Sequence, residues 1–129
     1  MDRFGQIEPK VVFIADGYFF KGKFIDSVEK FRDLPTRIPS LEKLVVVNFT
    51  TPSHMERNLS SVPKAVHYHD FLAPPAASGI EEIEFEQVGF DHPVYIMYSS
   101  GTTGLPKCIV QGTGVLLNHL KELKLHSDV

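Results

Sequence analysis

An uncharged run, Pro93-Val94-Tyr95-Ile96-Met97-Tyr98, stops abruptly at Ser99-Ser100-Gly101-Thr102-Thr103-Gly104-Leu105-Pro106-Lys107. No other stretch restricts the possible fold as strongly. The run carries no charge on either face and reads as a buried strand. The stretches 10–15 and 44–47 repeat the pattern, with K-V-V-F-I-A closed by Asp16-Gly17 and Leu44-Val45-Val46-Val47. Strands apolar on both faces suit a parallel sheet covered by helices on each side. The expected class is therefore α/β, a three-layer arrangement of mainly parallel sheet flanked by helices.

The segment after the 93–98 run has the chemistry of an anion-binding loop. Glycine lacks a Cβ, so backbone N–H groups at Gly101 and Gly104 can turn toward a bound anion. The hydroxyls of Ser99, Ser100, Thr102 and Thr103 are neutral donors, and Lys107 supplies one positive charge. The spacing is G-x-x-G-x-x-K, unlike the G-x-x-x-x-G-K-[ST] loop that feeds a helix. Cys108-Ile109-Val110 follows the lysine, so the loop is expected to join two strands. A plain Ser/Thr/Gly surface turn is the alternative.

The rest of the chain supplies helices and turns. Asp26 followed by Glu29 has capping-box character, with Val28, Phe31 and Leu34 at helical spacing and Pro35 as the stop. Asp16-Gly17 reads as a turn, with a ligand loop at the strand's carboxyl end as the alternative, and Lys21-Gly22-Lys23 as a solvated loop, with anion steering as the alternative. Ser60-Ser61-Val62-Pro63 is a further loop. A weaker strand is expected from Ala65 to Tyr68, leading into Asp70-Phe71-Leu72. His67 and His69 would share one face of it, beside Asp70. A metal site needs further ligands that the sequence does not place, so an edge-strand surface pair is the reading. The stretch 73–79, A-P-P-A-A-S-G, has linker composition. The carboxylates Glu81, Glu82, Glu84 and Glu86 form a solvated face, with Phe85, Val88 and Phe90 expected to pin that segment to the core. Beyond the loop, Thr113 is the expected cap of a helix whose Leu116, Leu120 and Leu123 form a core stripe.

Composition removes several partner classes. The 129 residues are 43% hydrophobic and 22% charged, ordinary for one globular domain. Thirteen basic against sixteen acidic residues leave a formal charge of −3, so no basic field exists for a nucleic-acid backbone. One cysteine excludes an internal disulfide framework and fits a reducing compartment. No leader-like segment opens the chain, and no apolar run approaches the roughly 18 residues of a membrane span. A soluble cytosolic protein without nucleic-acid or membrane partners is expected.

The stretch S-S-G-T-T-G-L-P-K at residues 99–107 resembles the phosphate-loop signature of the adenylate-forming enzymes, which include acyl-CoA synthetases. Asp91-His92-Pro93, Cys108, His119-Leu120-Lys121-Glu122 and the opening 2–10 are similar to the branch of that family that activates acetoacetate. The likeness runs nearly end to end, over a chain much shorter than the family's usual one. The resemblance implies that residues 1–129 are a single α/β piece of the large N-terminal domain, with a linker near 73–79. It implies ATP with Mg²⁺ and coenzyme A as cofactor and co-substrate, and acetoacetate or a similar short acid as substrate. It further implies that Ser99, Ser100, Gly101, Thr102, Thr103 and Gly104 wrap the ATP phosphates, Thr102 and Thr103 through their hydroxyls. Lys107 would pair with the departing pyrophosphate and is the catalytic residue so implied.

Two departures qualify the resemblance. Cys108 stands where most of the superfamily has glycine, and Gln111 replaces a common histidine. The Y-G-x-T-E-like segment, the ribose-holding aspartate and the C-terminal domain with its catalytic lysine do not occur before Val129. These residues alone are therefore expected not to turn over substrate, and a non-catalytic nucleotide- or pyrophosphate-binding module that keeps the loop is the alternative.

Overall fold

The computed structural model describes residues 3–51, 57–72, 84–99 and 104–127. They fall into two compact units, one covering residues 3–78 and the other 79–129. The linker-like 73–79 stretch lies outside the described residues.

The first unit opens with a short helix α1 (Phe4–Ile7), then strand β1 (Val11–Ala15), strands β2 (Gly17–Phe20) and β3 (Lys23–Asp26), and helices α2 (Ser27–Phe31) and α3 (Leu34–Arg37). Strand β4 (Lys43–Val47), strand β5 (Ala65–His67) and helix α4 (Tyr68–Leu72) complete it. The expected parallel sheet is present, in the order β1-β4-β5. Register runs Val11↔Lys43 to Ala15↔Val47, then Leu44↔Ala65 to Val46↔His67. As the central strand, β4 has neighbours on both edges, and Leu44, Val45 and Val46 are fully buried.

Side chains alternate across a strand, so Val12, Leu44 and Val46 share one face. They pack with Val28, Leu34, Ile38, Leu41 and Val62, contributed by α2, α3 and the adjoining loops. On the opposite face Phe13 meets the edges of Tyr68 and Phe71 of α4, with ring centroids 6.4 and 5.6 Å apart. Helices thus flank the sheet on both faces, giving the three layers.

Two local details differ from the sequence expectation. The helix at 27–37 is split: α2 ends at Phe31, and Pro35 sits in the first turn of α3. Proline lacks an N–H that the first turn leaves unbonded anyway, so it starts a helix here rather than stopping one. Asp26 does cap α2, accepting the Glu29 N–H at 3.0 Å. The Glu29 side chain turns to Arg32 instead of closing a capping box. The Arg57 guanidinium, 2.6 Å from Asp26, holds that carboxyl below the usual carboxylate range.

The second difference is that Lys21-Gly22 is the tight turn of a hairpin. Phe19 pairs with Phe24 and Phe20 with Lys23 across β2 and β3. Lys21 and Gly22 both have positive φ, 50° and 73°, the signature of a type I′ two-residue loop. The hairpin begins immediately after Asp16, so that residue is no ordinary turn. Its side chain is fully buried. One carboxylate oxygen accepts the N–H groups of Gly17, Phe49 and Thr50, each at 2.9 Å, and the other accepts Thr51 N–H at 2.8 Å. Burial alone would raise its pKa, but the donors of residues 49–51 outweigh it and hold the carboxyl far below its ordinary value.

The second unit contains strand β6 (Pro93–Ser99), strand β7 (Lys107–Gly112) and helix α5 (Gly114–Glu122), which continues into a π-helical turn, Leu123–Ser127. The two strands pair antiparallel from Pro93↔Gly112 to Ser99↔Lys107, with an irregularity between Pro93 and Tyr95. The expected strand therefore forms, but the expected burial does not: Val94, Tyr95, Ile96 and Met97 are 39–49% exposed. The reason is coverage, since β6 has one paired neighbour among the described residues. The leucine stripe behaves similarly, with Leu116 and Leu123 half-buried and Leu120 exposed. Thr113 occupies the cap position of α5, yet its hydroxyl donates to the His92 carbonyl at 3.2 Å instead of accepting a helix N–H. Phe85, Val88 and Phe90 are exposed and not pinned into a core. The Phe90 ring fills the place where a Cβ on Gly114 would lie.

Two stability tests follow from the first unit. Leu44→Ala, which empties a site in the central strand, should cost about 2–5 kcal/mol in urea unfolding; a cost below about 1 kcal/mol would contradict the packing. Asp16→Ala strands four N–H groups and should cost about 3 kcal/mol or more at neutral pH. The folded-state pKa lies below the unfolded value near 4, so this stabilisation is complete above about pH 4 and fades as pH falls below it. Asp16→Asn should flatten that part of the acid-unfolding profile.

Candidate phosphate-binding loop

The loop region belongs to the hairpin of the second unit. Antiparallel strands lie about 5 Å apart, and the register places Lys107 directly across from Ser99. Ser99 and Lys107 thus stand at neighbouring points, with the lysine at the mouth of the loop. The sequence expectation of a loop between two strands is what the structure contains. Ser99, the last residue of β6, is half-buried. Lys107, the first of β7, is exposed.

Gly104 has φ +113°, and nothing lies within 4 Å of where its Cβ would be. Its requirement for glycine is conformational and not steric, because L side chains rarely adopt that φ. Ser100, Gly101, Thr102 and Thr103 lie outside the described residues. Among the described residues no carboxylate forms an ion pair with Lys107. An exposed ammonium at the mouth of a hairpin, beside a hydroxyl and a left-handed glycine, is a donor set suited to phosphate oxygens.

The other candidates from the sequence occupy different places. Cys108 is exposed and pairs with Tyr98 in the ladder. Gln111 pairs with Tyr95 and is half-buried. It lines an open cavity of about 360 Å³ with Phe90, Asp91, Gly112, Gly114 and Val115. That cavity is at the opposite end of the hairpin from Lys107, its strand residues Gln111 and Gly112 lying about 14–17 Å along β7 at the usual strand rise.

His67 ends β5, but His69 belongs to α4, so the two do not share a strand face as expected. The strand-to-helix turn stacks their rings instead, with centroids 5.7 Å apart and planes 18° from parallel. His69 Nε2 is 3.0 Å from Asp70 Oδ1. Among the described residues no three His, Cys, Asp or Glu side chains gather as a metal site would require. None of the helices among them is long and apolar enough to cross a membrane.

Sequence reasoning missed the role of Asp16, whose partners at 49–51 lie 33 to 35 residues away. It also missed the β2–β3 hairpin. There a usable signal existed: Lys21-Gly22 between Tyr18-Phe19-Phe20 and Phe24-Ile25, a glycine-containing pair between two aromatic-rich runs.

Comparisons with known proteins give the family. Residues 3–129 match the AMP-binding enzyme family, and the chain belongs to it. Among its relatives is acetoacetyl-CoA synthetase of Danio rerio, 42% identical over 131 residues, covering 100% of this chain and 19% of that protein. The enzyme of the same name from Macaca fascicularis is 41% identical over 130 residues, with the same coverage. A malonamoyl-CoA synthetase of Penicillium aethiopicum is 39% identical over 134 residues, covering 100% of this chain and 18% of its own length. The solved structure of acetoacetyl-CoA synthetase from Streptomyces lividans superposes with a TM-score of 0.77 at 39% identity, covering 99% of this chain and 18% of that one. The chain spans about a fifth of the length of the curated relatives it matches.

Gly104→Ala is expected to cost about 1 kcal/mol or more from backbone strain alone. The readout is the thermal midpoint together with backbone amide shifts at Ser99 and Lys107. An unchanged midpoint and unchanged shifts would mean that the left-handed conformation is not required.

Proposed function

We propose that this chain is the phosphate-binding part of an AMP-forming acid–CoA ligase. In this reading both units belong to one ATP-binding domain, and residues 99–107 hold the β- and γ-phosphates of ATP. The observation that carries it is the strand register that sets an exposed Lys107, without an ion pair among the described residues, across from Ser99 and three residues after the positive-φ Gly104. The relatives, close to 40% identical along the whole chain, support the same reaction class.

The chemistry to be assisted is attack of a carboxylate oxygen on the α-phosphorus of ATP, with pyrophosphate leaving. Two anions must approach, and a third charge accumulates on the leaving group. Donors fixed around the β- and γ-phosphates hold the leaving group in line and offset its charge. Ser99, Ser100, Thr102 and Thr103 are proposed hydroxyl donors, Gly101 and Gly104 allow the backbone N–H groups to approach, and Lys107 pairs with pyrophosphate as it departs. Mg²⁺, when bound, neutralises further phosphate charge. In the second half-reaction the coenzyme A sulfur attacks the acyl carbonyl carbon, the acyl–phosphate bond breaks and AMP leaves.

The names of the relatives bear on the acid. Acetoacetyl and malonamoyl groups both carry a carbonyl on the third carbon and differ by methyl against amino, two substituents of similar size. A short acid with a carbonyl at that position is the proposed substrate class.

The test uses, in parallel with this chain, a longer protein that carries it within a full-length ligase, as this reading requires. In the longer protein, Lys107→Ala should lower acid-dependent AMP formation by about 10- to 1000-fold, the range for loss of one transition-state charge partner. The KM for the acid should change little, because the pairing strengthens as pyrophosphate leaves. In the 129-residue chain, calorimetry should detect pyrophosphate or Mg-ATP binding that Lys107→Ala weakens, with no AMP produced. Unchanged AMP formation in the variant would overturn the role of Lys107. No acid-dependent AMP formation by the longer protein, with binding retained in the short chain, would favour a non-catalytic module.

A further inference from the structure

We draw no further inference here: the strongest candidate, the exposed aromatic and basic tip of the β2–β3 hairpin, with Phe19 and Phe24 on one side and Phe20 and Lys23 on the other, is an unpartnered surface for which nothing in the structure shows what covers it.

Discussion

A carboxylate removed from water requires donors aimed at it, or it takes up a proton. Asp16 meets that requirement with four backbone N–H groups, and the first unit is arranged around the result. Its own N–H donates to the Val47 carbonyl at 2.9 Å, fastening the end of β1 to the end of β4. Its carbonyl accepts the Ser27 N–H at 3.1 Å, which places the start of α2. The side chain fixes the loop that leaves β4, and the next residue, Gly17, begins the hairpin. One residue therefore ties together two parallel strands, a helix start, a loop and a hairpin at the carboxyl edge of the sheet.

The second unit follows a different constraint. A two-stranded ladder on its own is marginally stable, and stability usually comes from further strands or a covering layer. Here the 93–98 run of β6 is apolar on both faces, yet among the described residues it has a single paired neighbour and its side chains stay partly exposed. That pattern is written for a strand with cover on both sides. What the ladder does fix is the separation of its two ends: Ser99 and Lys107 close the loop, while Pro93 and Gly112 form the far end with Phe90 and Gly114.

Much of this was legible locally. Continuous apolar runs identified β1, β4 and β6, because a strand's pattern is contained in five to seven consecutive residues. The cap at Asp26 was legible too, since its partner Glu29 lies three positions on. The joint character of the 99–107 loop followed from apolar segments on both sides. Reading failed where two local signals compete or where the partner is remote. Pro35 both stops and starts helices, and the sequence does not say which. Thr113 reached the expected cap position, but its hydroxyl found the His92 carbonyl, 21 residues earlier. His69 was assigned to a strand because two-residue spacing looks the same until the chain turns.

The sequence by itself determined which segments extend, which turn, and that a glycine–hydroxyl–lysine stretch joins two strands, because these depend on side-chain pattern and backbone freedom within a short window. Only the tertiary structure decided that Asp16 is a buried anchor and not a turn residue, that β4 is central, and that the apolar faces of β6 are half open. Burial and hydrogen bonding depend on groups brought together across the chain, and no local window contains them.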